Sequence, residues 1–267
     1  MNGPEAMPAT DLRRIRRRGM LALTEREVLR VLRLWSQTIL PAVLVAVLFI
    51  VVFGVALGGQ IRTVDGVPYE TFIVPGLVLM GVATSAFANT ATSIYQARSD
   101  GFIEDPAGSP MAARHLLGAY LAGGLVRGLA IGIVTLLCAR ALVDYPLHRP
   151  LLLAGALIAT GIAFSALGIV VGLLSQGWEF QSVVGSLIIQ PLVFLGGVFY
   201  SVNVLSEPWR ALTHADPIYH MVLMTRAGIV GHQEGSLLAA VAVTVGAAVL
   251  MGLWAWGCLM RGTGIRT

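Results

Sequence analysis

A chain of 267 residues with 56% apolar and only 12% charged side chains, and a mean hydropathy of +0.80, lies far outside the composition of soluble globular domains. Its net charge of +4 invites a nucleic-acid reading, but the excess is all arginine and gathers at Arg13, Arg14, Arg16, Arg17 and Arg18, beside the first apolar run. That placement is a membrane anchor's, so composition excludes a soluble enzyme or nucleic-acid binder and points to a polytopic membrane protein.

Residues 1–20 read as a disordered basic leader, and 21–267 as one transmembrane domain. From Leu21 to Trp35 a 100° period places Leu21, Val28, Val31, Leu32 and Trp35 on one face and Arg26, Arg30 and Arg33 on the other. This predicts an amphipathic helix lying in the headgroup layer. Six runs long enough to cross a bilayer follow, at about 36–58, 71–92, 116–139, 151–174, 181–200 and 235–260. Gly155, Gly161, Ala163, Gly168 and Gly172 suit close packing of the fourth span, and Gln190-Pro191 should kink the fifth. Ser201 to Glu234 is too interrupted to cross and too apolar for an ordinary loop, which suggests short helices dipping into the interface. The fold class is all-α integral membrane.

The main polar break is Gln96 to His115, with Asp100, Glu104 and Asp105 between Arg98 and Arg114. Six spans put both termini on one side. With the termini inside, Arg62, Arg140, Arg149, Arg210 and Arg226 are the only arginines outside the membrane on the outer face, and most of the rest fall on the inner one. The polar break therefore faces the cytoplasm.

No catalytic constellation is visible. A chain without lysine has no Walker-type phosphate loop, and no span carries paired carboxylates. His214 and His220, with Asp216 between them, lack metal-site spacing, and Cys138 and Cys258 sit far apart in apolar runs, so no metal site is expected. Arg127, near the middle of the third span, has no intramembrane carboxylate to pair with. It either packs against backbone carbonyls, with Gly123, Gly124 and Gly128 admitting another helix, or binds an anionic or polar substrate. Asn89, Thr90, Thr92, Ser93 and Gln190 are further candidates for a cavity lining, although hydroxyls and amides also bond neighbouring helices.

Four segments in order carry a family resemblance: Phe72-Ile73-Val74-Pro75-Gly76-Leu77, Gly101-Phe102-Ile103-Glu104 through Pro110, Gly196-Gly197-Val198-Phe199-Tyr200-Ser201, and Asp216-Pro217-Ile218-Tyr219 through Arg226. From about Leu21 onwards the chain resembles the ABC-2 permeases, nearest to the exporters of drugs, glycolipids and polysaccharides. The resemblance implies a permease that dimerises, its partners being a second copy of itself and two cytoplasmic ABC ATPase subunits that hold ATP and magnesium. This chain itself would hold no cofactor. It implies a coupling helix at Gly101, Phe102, Ile103, Glu104, Asp105 and Pro110, and a re-entrant extracellular gate including Tyr200, Asp216, Pro217 and Arg226. Spans two and five would line the pathway, with Phe194 among its residues. Pro106 and Gly108 depart from the family pattern and should shorten or break the coupling helix. Localisation in the cell membrane with both termini cytoplasmic follows. The competing readings are an ion-coupled transporter or channel needing no ATPase, which predicts intramembrane carboxylates, and a lipid-modifying enzyme, for which Glu207, His214 and Asp216 come nearest.

Overall fold

The computed structural model describes residues 9–56, 63–101, 113–231 and 235–263. Helix α1 (Ala9–Arg33) begins inside the stretch read above as disordered leader, and α2 (Trp35–Thr38) and α3 (Leu40–Phe49) follow with only single-residue breaks. A π-helical segment, Ile50–Ala56, ends this first span. A two-residue hairpin, β1 (Thr63–Val64) and β2 (Val67–Pro68), turns at Asp65-Gly66, where φ is 50° and 80°. Asp-Gly is the pair that tolerates positive φ at both centres of such a turn.

Then come α4 (Tyr69–Ser99), α5 (Ala113–Leu142), α6 (Pro150–Leu174) and α7 (Trp178–Val183), which runs through a π segment, Val184–Ile189, into α8 (Gln190–Leu195). Two short helices, α9 (Trp209–Ala215) and α10 (Pro217–Ile229), lead to the last described helix, α11 (Leu237–Arg261). Six helical stretches among the described residues are long and apolar enough to cross a membrane: Trp35–Gly54, α4, α5, α6, Trp178–Leu195 and α11. The second reaches further than the sequence pattern suggests, so Gln96, Arg98 and Ser99 are helical.

Local chemistry explains the ends. Pro150 and Pro217 sit at first helical positions, where the missing N–H costs nothing. Ser236 caps α11 by accepting from the Ala239 N–H. That helix closes with Gly262 at φ 64°, the Thr263 N–H donating to Cys258 O and the Gly262 N–H to Leu259 O, which is the Schellman pattern. The break expected at Pro191 appears one turn earlier as the π segment, where the Gln190 N–H reaches back five residues to Gly185 O.

Helix α4 is the core: Phe72 to Ala83 is buried on every side, and α5 and α6 pack along its length. Small residues permit the approach. A Cβ on Gly128 or Gly132 would press on Val82, and one on Gly172 would lie 2.8 Å from Ala91 O. Helix α10 is buried as well, packed on α11, α6 and α4. By contrast α3, Trp178–Leu195 and α11 bury few of their residues, as spans facing lipid or a second protein do.

Candidate functional site

The candidate residues on α4 point in three directions, because the helix rotates 100° per residue. Thr92 faces a cavity of about 400 Å³ between α4 and the Trp178–Leu195 span, opposite Gln181, Ser186 and Gln190. Hydroxyls and amides ring it, Phe87 and Trp178 add aromatic surface, and no charged side chain enters the lining. Gln181 is buried there, its Nε2 without a partner among the described residues. Thr84, Gln181 and Ser186 were not singled out from sequence, since only the pairing of two spans brings them together.

Thr90 belongs elsewhere. Its hydroxyl reaches Ser165 O at 2.9 Å and lies over Gly168, sealing α4 to α6. Asn89 and Ser93 face a third way, towards α1. The Ser93 hydroxyl donates to Glu27 Oε2 at 2.7 Å, Arg30 pairs with the same carboxylate at 3.0 Å, and Arg30 also donates to the side-chain and backbone oxygens of Asn89 at 3.1 and 3.2 Å. Arg26 holds the other oxygen of Glu27 at 3.1 Å. Glu27 is 1% exposed, and the notch that admits it is Gly123, whose Cβ would stand 2.7 Å from Glu27 Cβ. Thus Asn89, Thr90 and Ser93 bond neighbouring helices and stand outside the Thr92 cavity, while Ser93 also lines a second cavity beside α1. Helix α1 buries Leu23, Glu27 and Val31 as a stripe against α5, while Leu21, Leu32 and Trp35, from the apolar face read in the sequence, are exposed.

A larger cavity, about 660 Å³, opens between α1 and the last turns of α4, edged by Arg26, Arg33, Glu25 and Asp100. Arg127 lies one helical turn beyond Gly123, half-buried, and no ion pair reaches it among the described residues. Phe194 joins Phe49, Phe53 and Phe199 in an aromatic cluster with centroids 5.2–5.6 Å apart, away from the cavity lining.

At the other end of the bundle, the residues of the expected gate do converge. Asp216 caps α10 by accepting from the Ile218 N–H at 2.9 Å. Buried Arg226 donates to Gly197 O at 2.8 Å and lays its guanidinium 3.9 Å from the centre of the Phe72 ring. The Tyr200 hydroxyl donates to Leu195 O. Gly196 lets the Gly196–Ser201 bend touch the start of α10, since a Cβ would meet Ile218 and the Tyr219 N at 3.0 and 3.2 Å. Of the coupling residues, Gly101 is described, with φ 73°; Phe102, Ile103, Glu104, Asp105, Pro106, Gly108 and Pro110 lie outside the described residues.

Asp216 has a further consequence for pH. Its Oδ2 is buried with no partner among the described residues, and burial pushes its pKa up to about 6, against a smaller lowering by the Ile218 N–H. The folded state therefore holds this proton more tightly than the unfolded chain, so stability falls as pH rises from about 4 to about 6 and is level above. Asp216→Asn keeps the capping oxygen and removes the charge. It should leave the melting temperature at pH 4 unchanged and stabilise at pH 7.5 by about 1–2 kcal/mol. Thermal melts in detergent at the two pH values check this, and an equal gain at both would refute it.

The chain is 34% identical over 249 residues, 93% of its own length and 97% of the relative's, to the inner membrane transport permease YadH of Escherichia coli K12. It is 29% identical over 188 residues to nodulation protein J of Rhizobium meliloti, covering 67% of this chain and 68% of that one, and 28% identical over 194 residues to the Neorhizobium galegae protein of the same name, covering 69% and 71%. The profile of the ABC-2 type transporters matches residues 18–230, from α1 to the end of α10. This chain belongs to the ABC-2 type transporter family.

Proposed function

We propose that the protein is the permease subunit of an ATP-driven exporter in the inner membrane, working as a dimer of two copies over two separate nucleotide-binding subunits. The observation that carries the reading is the family match from α1 through α10, with near full-length similarity to a transport permease. The end of the bundle with residue 100 then faces the cytoplasm together with both termini, as the arginine distribution requires. Gly101 to Pro110 is the segment that meets the ATPase, which holds the nucleotide and magnesium. Helices α9 and α10, with Tyr200, Asp216, Pro217 and Arg226, form the outward gate.

The uncharged cavity between α4 and the Trp178–Leu195 span receives a hydrophobic or amphiphilic substrate. A charged cargo would leave its own charge uncompensated against that lining, at a cost of several kcal/mol. ATP binding closes the motor subunits, and the dimer opens past α10.

The reading is tested at Glu104. In proteoliposomes containing the permease and its ATPase, Glu104→Arg should abolish transport and uncouple ATP hydrolysis, with an unchanged melting temperature because the site is aqueous. Normal transport by that variant would remove Glu104 from the contact. A permease that transports with no ATPase present would overturn the exporter reading itself.

A further inference from the structure

Arg98 lies in the last turn of α4, and its Nη1 points at the carbonyls that end α6: Gly172 O at 3.1 Å, Leu173 O at 2.7 Å and, just past the helix, Ser175 O at 2.8 Å. The final carbonyls of a helix have no partners of their own and carry its negative dipole end, so a guanidinium there is both cap and counter-charge. Ser175 begins the short corner from α6 to α7. One turn back along α4, on the same face, Tyr95 meets Trp178 edge-on, with centroids 5.4 Å apart and rings inclined at 67°. Trp178 opens α7. Two successive side chains of α4 thus hold the two sides of one corner.

That corner is the base of the cavity's outer wall. Trp178, Gln181 and Gly185 line the cavity from α7 and the π segment, while Phe87, Ala91 and Thr92 line it from α4. Beyond the corner the wall buries only one face, through Val184, Ile189 and Val193. Val183, Leu187, Ile188 and Leu192 are all exposed, and the π segment has the poorer hydrogen-bond geometry of an i→i+5 turn. Gln181 lies on the Arg98 side of these buried contacts, so the distance between the walls at that position is set from the Arg98 end as well.

We infer that Arg98, seconded by Tyr95, is the positioning residue that clamps the α6–α7 corner to α4 and sets the opening of the cavity on the Gln181 side. Arg98 touches no substrate; it acts through the wall that does. The clamp rests on the exporter reading only for its use: a pull on the end of α4 next to Gly101 reaches the cavity wall through Arg98.

A cysteine reporter tests it in the full permease with its ATPase partner, in nanodiscs, after Cys138→Ala and Cys258→Ala. Gln181→Cys occupies a buried position on the wall, and its rate of reaction with a water-soluble maleimide reads the opening. Arg98→Ala should raise that rate at least about tenfold, the factor that the loss of even one charge-assisted hydrogen bond would give. Arg98→Lys, whose ammonium has three donors for the three carbonyls, should restore protection. Tyr95→Ala should raise the rate as well, and it serves as the clamp-releasing variant if Arg98→Ala does not fold. A control cysteine introduced as Ser165→Cys, buried in the α4–α6 seam, should stay protected throughout.

Unchanged protection in both releasing variants, or equal exposure at positions 181 and 165, would overturn the clamp. In the parent reporter, ATP with vanadate should change the labelling rate at position 181, and in Arg98→Ala it should not. A parent that ignores nucleotide would count against the exporter reading, while the clamp would still be judged on the variants alone.

Discussion

Replacing Gly168 with alanine is expected to destroy the folded protein. The added methyl would collide with the Thr90 hydroxyl, stand 2.5 Å from Phe87 O and 3.1 Å from the Ala91 nitrogen. Two of those atoms are backbone of the central helix, so no rotamer change relieves the clash, and α6 must back away from α4. That movement breaks the Thr90 bond to Ser165 O and opens the seam at Gly172, where the helices are packed as closely. A cost of about 3 kcal/mol or more is expected, at or above the upper end of ordinary overpacking. The same substitution at Gly246 on α11 meets nothing within 4 Å and should be neutral or slightly stabilising. Fluorescence-detected size-exclusion profiles of the two variants check the pair: a monodisperse Gly168→Ala peak with unshifted melting would disprove the packing argument.

The second large effect belongs to Glu27. Glu27→Ala should lower stability by about 2–4 kcal/mol, the range for breaking a buried pair, tempered because Arg30 retains some solvent contact. The loss has three parts: Arg30 keeps only Asn89 as a partner, Ser93 loses its acceptor, and the more exposed Arg26 loses its carboxylate oxygen. Since the residues act as one network, the double variant Glu27→Ala/Arg30→Ala should cost less than the sum of the single ones. Strict additivity in thermal melts would mean that the two side chains work independently.

These two sites differ sharply in how readable they were. Gly168 lies in a run of small residues within an apolar span, a pattern that announces close helix contact on its own. Glu27, flanked by Arg26 and Arg30, reads as part of a solvated charged face. Its burial depends on Gly123 and Ser93, and no local period connects residues 66 or more positions apart. Six spans and the break near Pro191 were legible because length and missing N–H groups are local properties.

The cavity was half legible for the same reason. Thr92 and Gln190 could be named as polar residues in apolar spans, but Asn89, Thr90 and Ser93 carry the same chemistry with a different azimuth. Only the neighbours of α4 decide which of its faces is wet. Likewise the segment from Ser201 to Glu234 could be read as short helices from its interrupted but apolar sequence, whereas the place of its Arg226, against Gly197 O and the Phe72 ring, depends on partners far away in the chain.

The Glu27 interlock also fixes an order of events during synthesis. Helix α1 leaves the ribosome ahead of α4 and α5, yet its buried stripe has no seat until Ser93 and Asn89 on α4 and the Gly123 notch on α5 have been made. Until then a carboxylate and its arginines must wait in water or at the membrane surface. The first helix translated is therefore seated only after the third long one has been made, and a chain stalled before α5 leaves the buried stripe of α1 without its seat.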